Sequence, residues 1–227
     1  MSKYKYQMHV HTSPCSLCGQ LTPQTLTQAL LDGGYQGAVI TNHFYHGNSG
    51  IDRSENTSWE TFVSAYEKDY LECKKEAAKH DLDIIFCIEE SVIPGLEVLC
   101  YGVTPKVLYD NPQLIKSDID EWVRVMRANG VVVVQAHPFR EADYIPNPGP
   151  LPLEYVDGLE VFNMGNREYM NERALELANA NPHLIRTSSA DAHTPDRIPF
   201  GGIITERRIH NEKELADLLR SGEYELL

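Results

Sequence analysis

Short apolar runs, several of them apolar throughout, recur along this chain, most of them followed by a segment with helical spacing. They cover residues 6–10, 37–41, 84–88, 98–101, 131–135, 158–162, 184–187 and 202–205, and several are rich in β-branched residues. Strands of that composition are buried on both faces, as in parallel sheets. The intervening helices have readable ends. Thr22 can cap a helix with Pro23 at its first position, closed by Gly33 and Gly34. Ser58 opens a long helix to about residue 80, a third runs from about 117 to 128, and a fourth covers about 168–180. Asn211 with Glu214 makes a capping-box-like start for the last. Alternation of β and α over the whole length implies a mostly parallel sheet, either a barrel or doubly wound. A length of 227 residues suits one large α/β domain or two small ones. With no repeat and no clear linker, residues 1–227 are taken as a single domain.

The net charge of −13 argues against a broad nucleic-acid surface, which is rewarded for positive charge through counterion release. A small anionic substrate stays compatible, because a few arginines and bound metals reverse the sign locally. The five cysteines are scattered, the N-terminus has no signal-type apolar segment, and no apolar run approaches the ~20 residues of a membrane helix. These features lead us to expect a cytoplasmic protein with reduced thiols and no membrane partner.

Metal-ligand residue types fall at the ends of the apolar runs. The first carries His9 and leads into His11, and His43 follows the second. Glu89 follows the run 84–88, and His137 follows 131–135. Asp191 and His193 lie shortly beyond 184–187. In parallel α/β folds the C-terminal strand ends share one face, which in barrels carries the active site. Residues i and i+2 on a strand point to the same side, so His9 with His11, and Asp191 with His193, can each serve one ion. A carboxylate such as Glu89 can bridge two ions. Mixed imidazole and carboxylate ligation suits Zn²⁺, Mn²⁺ or Fe²⁺. His80, His183 and His210 read as structural or solvent-facing.

The segments His9-Val-His-Thr-Ser13, Ile40-Thr-Asn-His-Phe44, Cys87-Ile-Glu-Glu-Ser91, Gln135-Ala-His-Pro-Phe-Arg140, Gly158-Leu-Glu-Val-Phe-Asn163 and Ser188-Ser-Ala-Asp-Ala-His-Thr-Pro195 resemble, in this order, the motifs of the PHP family, named for its polymerase and histidinol-phosphatase members. The resemblance covers about residues 7–203. It implies a distorted (β/α)7 barrel, TIM-barrel-like, with a metal cluster at the strand C-terminal ends, and hydrolysis of phosphate esters. It further implies that His9, His11, Glu89 and Asp191 form one metal position, that Glu89 and His137 belong to a second, and that His43 and His193 belong to a third. Two departures stand out. The further histidine or acid that such proteins often carry after the first motif is replaced by Pro14-Cys-Ser-Leu-Cys-Gly19, and the strand 98–101 has no histidine. Two or three ions are therefore expected. Cys15 or Cys18 could supply a missing ligand, because thiolates bind zinc well.

The expected substrate is a small phosphorylated metabolite or nucleotide, cleaved as a phosphate monoester by a metal-activated water. Glu89, Asp191, His193 and Arg140 are the candidate catalytic residues. Arg140, Arg197, Arg167 and His46 are candidates for binding substrate, Arg140 by a bidentate contact to phosphate. Tyr45 is a candidate pocket wall. The loops 44–57 and 141–155 are expected to set specificity. Phosphodiester or exonuclease cleavage, hydrolysis of a C–N bond, a protein-tyrosine phosphatase and a metal-binding module without catalysis are the competing readings.

Overall fold

The computed structural model describes residues 3–227. Its strands are β1 (Tyr4–Val10), β2 (Gly37–Ile40), β3 (Asp83–Phe86), β4 (Glu89–Ile93), β5 (Leu96–Tyr101), β6 (Val132–Gln135), β7 (Gly158–Asn163), β8 (Ile185–Ser189), β9 (Ile203–Thr205) and β10 (Glu225–Leu226). The helices are α1 (Pro23–Asp32), α2 (Trp59–Ala77), α3 (Pro105–Tyr109), α4 (Ile119–Ala128), α5 (Glu168–Ala180) and α6 (Glu212–Ser221). The side chains of Thr22, Ser58 and Asn211 accept hydrogen bonds from the N–H groups three residues on, so each starts its helix as the sequence predicts. The third predicted helix begins slightly later than expected. Asp118, not Ser117, accepts from the Glu121 N–H.

The strands form two five-stranded mixed sheets, ordered β10-β9-β1-β2-β3 and β4-β5-β6-β7-β8. This corrects the expected (β/α)7 barrel. β1, β2 and β3 are parallel, as are β6, β7 and β8. Between the two parallel runs, however, the chain folds back on itself. β4 and β5 pair antiparallel through the tight Pro94-Gly95 connection, and β5 pairs antiparallel with β6. β9 and β10 add antiparallel strands at the other edge. No continuous ladder joins the sheets among the described residues. They touch at isolated bridges, Val10 with Ala192 and His43 with Glu89.

Alternate residues of β2, β3, β5 and β6 feed two cores, which is why those strands are largely apolar. Val39, Ile85, Leu99, Tyr101, Val132 and Val134 belong to an inner cluster, which also includes Leu215, Leu218 and Leu219 of α6. Their neighbours Ala38, Ile84, Phe86, Val98, Cys100 and Val133 pack instead with Leu26, Phe62, Tyr66, Trp122 and Met126 of the other helices. Each fully buried Leu, Val or Phe contributes about 1.5–3 kcal/mol. Together these two layers hold the strand ends in fixed positions. No described helix is long and apolar enough to cross a membrane.

Candidate metal centre

All seven candidate ligands named above come together where the two sheets touch. His9 lies in β1, and His11 just beyond it. His43 follows β2, Glu89 opens β4, His137 follows β6, and Asp191 and His193 follow β8. The His9 and His11 Nε2 atoms are 3.0 Å apart. Glu89 places Oε1 3.1 Å from His9 Nε2 and Oε2 3.3 Å from His11 Nε2. Asp191 Oδ1 is 3.4 Å and 3.3 Å from the same nitrogens. Four ligands arranged tetrahedrally about an ion with arms of about 2.0–2.1 Å stand roughly 3.3–3.4 Å apart. The donor spacing therefore fits a shared cation.

The ring tautomers fit as well. His9 Nδ1 donates to Glu160 Oε1 at 3.1 Å. His11 Nδ1 donates to Ser16 Oγ at 3.0 Å, because that hydroxyl spends its proton on Asn42 Oδ1. His193 Nδ1 donates to the Asp191 carbonyl at 2.9 Å. Each bond leaves Nε2 facing the cluster, the arrangement by which outer partners orient metal-binding imidazoles. Both Glu89 oxygens and His43 Nδ1 are buried without a hydrogen-bond partner, although His43 Nδ1 and Glu89 Oε2 are 2.9 Å apart. The groups approach without hydrogen-bond alignment. Polar atoms buried in this way are costly unless something else satisfies them, and a divalent cation would.

Glu97 was not anticipated from the sequence. It stands in β5 next to the segment 98–101 that lacks a histidine, and its oxygens lie 3.5 Å from His43 Nδ1 and 3.5 Å from His137 Nε2. His137 Nε2 is also 3.3 Å from Glu89 Oε1. A second donor group thus joins Glu89, Glu97, His43 and His137. A third comprises His11, His43 and His193, whose ring nitrogens lie within 4.8 Å of one another. Glu160, inside the segment 158–163, was also missed. It is wholly buried, accepts from His9 and Ser189, and takes the His137 N–H at 2.8 Å. In both cases the available signal was an acid inside an apolar strand.

The charges respond to this crowding. Burial works against charge on His9, but Asp191, Glu89 and Glu160 outweigh it and raise its pKa well above the ordinary value. Burial and the neighbouring His43 lower His11 to about 3. Burial and the charge of Glu89 push Glu97 up to about 8. Burial alone would raise the Cys18 thiol, yet hydrogen bonds with His193 and His43 bring it down to about 6. The backbone is strained at the same place. Non-glycine residues with positive φ include His137 at 31° and Asp191 at 50°. Such conformations cost about 1–3 kcal/mol and cluster at functional sites.

His43, Glu89, Glu97, His137, Asp191 and His193 line a cavity of about 920 Å³, whose wall also includes Cys18, His46, Glu90, Trp122, Arg140 and Tyr144, while His9 and His11 are fully buried. Arg140 is largely engaged within the protein. Its Nε bonds Asn166, and its Nη2 bonds Asn163 and pairs with Asp191 Oδ2 at 2.7 Å. Nη1 makes no hydrogen bond among the described residues, so a bidentate grip would need these contacts to rearrange. Arg167 and Arg197 lie away from the main cavity, in an adjoining one of about 480 Å³ that shares Arg140, Tyr144, Asp191 and His193 with it. His46 lines the main cavity with its Nδ1 bonded to the buried Glu90. Tyr45 does not line it. Its ring packs on Trp59 and Phe62 instead. Cys15 is buried in the hydrophobic core, and of the two loop thiols only Cys18 lines the cavity.

Among solved structures, the chain is similar to a two-domain protein from Bacteroides vulgatus containing a predicted PHP-like metal-dependent phosphoesterase. The TM-score is 0.71 at 14% identity, over 100% of this chain and 65% of that one. The chain has the PHP-like fold. PsfC from Pseudomonas syringae shares this fold with a TM-score of 0.69 at 16% identity, over 100% of this chain and 92% of that one. The lesion-specific endonuclease EndoQ from Pyrococcus furiosus matches with a TM-score of 0.61 at 13% identity, over 99% of this chain and 58% of that one. No family model matches the sequence, and no curated protein matches it significantly. The PHP-like fold is therefore visible here through structure and scattered motifs, with little overall identity.

Proposed function

We propose that this protein is a metal-dependent hydrolase that cleaves phosphate monoesters of a small metabolite or nucleotide. The observation that carries the reading is the set of converging donors on His9, His11, Glu89 and Asp191, spaced as one ion's ligands, with Glu89 and Asp191 lining the cavity. His9, His11, Glu89 and Asp191 would hold one ion, and Glu89, Glu97 and His137 a second, with His43 and His193 serving a third. Two or three Zn²⁺, Mn²⁺ or Fe²⁺ ions so held supply an activated water and neutralise phosphoryl charge.

The chain's own groups supply the remainder. Arg140 brings its guanidinium to Asp191 through Nη2, while Asn163 and Asn166 fix its plane. Arg167 and Arg197 bring positive charge to the adjoining cavity in an otherwise acidic protein. His46, braced through Nδ1 by Glu90, would offer the leaving group a proton from Nε2. A cavity of about 920 Å³ is in the range of small-molecule sites, about 300–1,000 Å³. A small ester also agrees better than a long polyanion with a net charge of −13.

The test is phosphate release from an aryl phosphate and a panel of phosphorylated metabolites, with Mn²⁺ or Zn²⁺ added. Activity that His137→Ala lowers by about 100-fold or more supports the reading. Fully metal-loaded protein that is inert across the panel contradicts it, and digestion of single-stranded DNA in its place would assign a phosphodiesterase.

A further inference from the structure

We propose that Cys18 is a metal ligand, its thiolate completing the third position beside His43 and His193 and making that position selective for thiophilic ions such as Zn²⁺. The inference rests on the metal-hydrolase reading above and concerns this chain's own donor set.

Cys18 Sγ lies 3.1 Å from His193 Nε2. Because His193 donates its Nδ1 proton to the Asp191 carbonyl, the nitrogen facing the sulfur carries a lone pair. The His193 ring stacks on His11 at 4.3 Å between centroids, and the His11 ring lies 4.3 Å from that of His43. An observation independent of the sulfur is the donor group itself: His11, His43 and His193 bring ring nitrogens within 4.8 Å of one another. A thiol has one weakly donating proton and satisfies one such nitrogen at most. A thiolate sharing a cation with the imidazoles satisfies several at once.

Cys18 is also held in place by the segments that carry the other donors. Gln20 N–H donates to the His193 carbonyl at 2.8 Å, Gly19 N–H to Ser16 O at 3.1 Å, and Leu17 N–H to Asn48 O at 3.1 Å. A Cβ on Gly19 would lie 2.9 Å from the Thr12 carbonyl carbon and oxygen. Only glycine lets this loop press against the backbone next to His11. Cys15, three residues earlier, is 1% exposed and sits in the core. The C-x-x-C pair is therefore not a chelate, since one sulfur packs and the other faces the site. Thiolate favours Zn²⁺, Fe²⁺ and Co²⁺ over Mg²⁺ and Mn²⁺.

The test is Co²⁺ substitution of the full-length protein, followed by near-ultraviolet absorption and elemental analysis. Wild type is expected to show a thiolate-to-cobalt charge-transfer band. Cys18→Ser is expected to lose that band and bind one ion fewer per chain, whereas Cys15→Ser keeps both. Should Cys18→Ser fail to fold, alkylation of wild type mapped by mass spectrometry decides the matter, since Zn²⁺ is expected to protect Cys18. Cobalt bound without the band, a band that survives in folded Cys18→Ser, or Cys18 alkylated equally with and without Zn²⁺ overturns the proposal and leaves the His9-Glu89-Asp191 centre standing. Protein that binds no transition metal at all overturns both.

Discussion

Glu160 serves four donors with two oxygens: His9 Nδ1, the His137 N–H, Ser189 Oγ and Asn163 Nδ2. It is a positioning residue for His9 and His137. Glu160→Gln is expected to weaken Zn²⁺ binding by about 10–100-fold, the usual cost of removing an outer partner of a metal-bound histidine. Competition with a chromophoric chelator measures this, and unchanged affinity would count against the role. Glu97 gives a pH dependence. Its pKa in the metal-free protein is raised to about 8, above the ordinary 4.5, so between those values the folded state keeps a proton that the unfolded chain has lost. Its contribution to metal-free stability is present below about 4.5 and is lost as pH rises toward 8. A cation that takes this carboxylate must displace the proton, so metal affinity should rise across the same window with proton release. Titration in weak buffer reads the protons, and pH-independent binding without release contradicts the assignment. His9, His11, His43, His137 and His193 were legible because each closes or follows an apolar run. Glu97 and Glu160 were not, because an acid inside a strand carries no spacing signature, and only the fold shows which face it occupies.

The hairpin of β4 and β5 carries Glu89 and Glu97 into one cluster, with Glu97 registered against Ser91. Its turn depends on Gly95, which has φ +79° and whose Cβ would lie 2.8 Å from Ile145 Cα. Gly95→Ala is therefore expected to lower stability by about 1–3 kcal/mol and to loosen the second donor group. Urea denaturation checks the first effect, and an unchanged midpoint would show that the loop 141–155 yields without cost. The helices were readable in the sequence because their caps are local: Thr22, Ser58 and Asn211 each bond a nearby N–H. β4 was hidden because it opens on Glu89-Glu90-Ser91, a polar start that does not look like a strand. Its antiparallel pairing with β5 is set by the Pro94-Gly95 turn.

Over the whole molecule, apolar runs buried on both faces indicated parallel strands but could not specify how they close. Two antiparallel insertions separate the strands into two sheets that touch at His43 with Glu89 and Val10 with Ala192. The candidate centre thus sits on the seam, and bound ions would tie the sheets together. Ions present at about 100 times their dissociation constant stabilise by about 2.7 kcal/mol. For a chain of this size, chelation should then lower the Tm by roughly 5–10 °C, and a scanning-calorimetry trace unmoved by chelator would show that no ion links the sheets. The most direct measurement is anomalous diffraction from crystals of the metal-loaded protein. The expected result is an ion peak about 2.0–2.2 Å from His9 Nε2, His11 Nε2, Asp191 Oδ1 and a Glu89 oxygen. Peaks confined to other sites, with those four donors empty, would contradict the account.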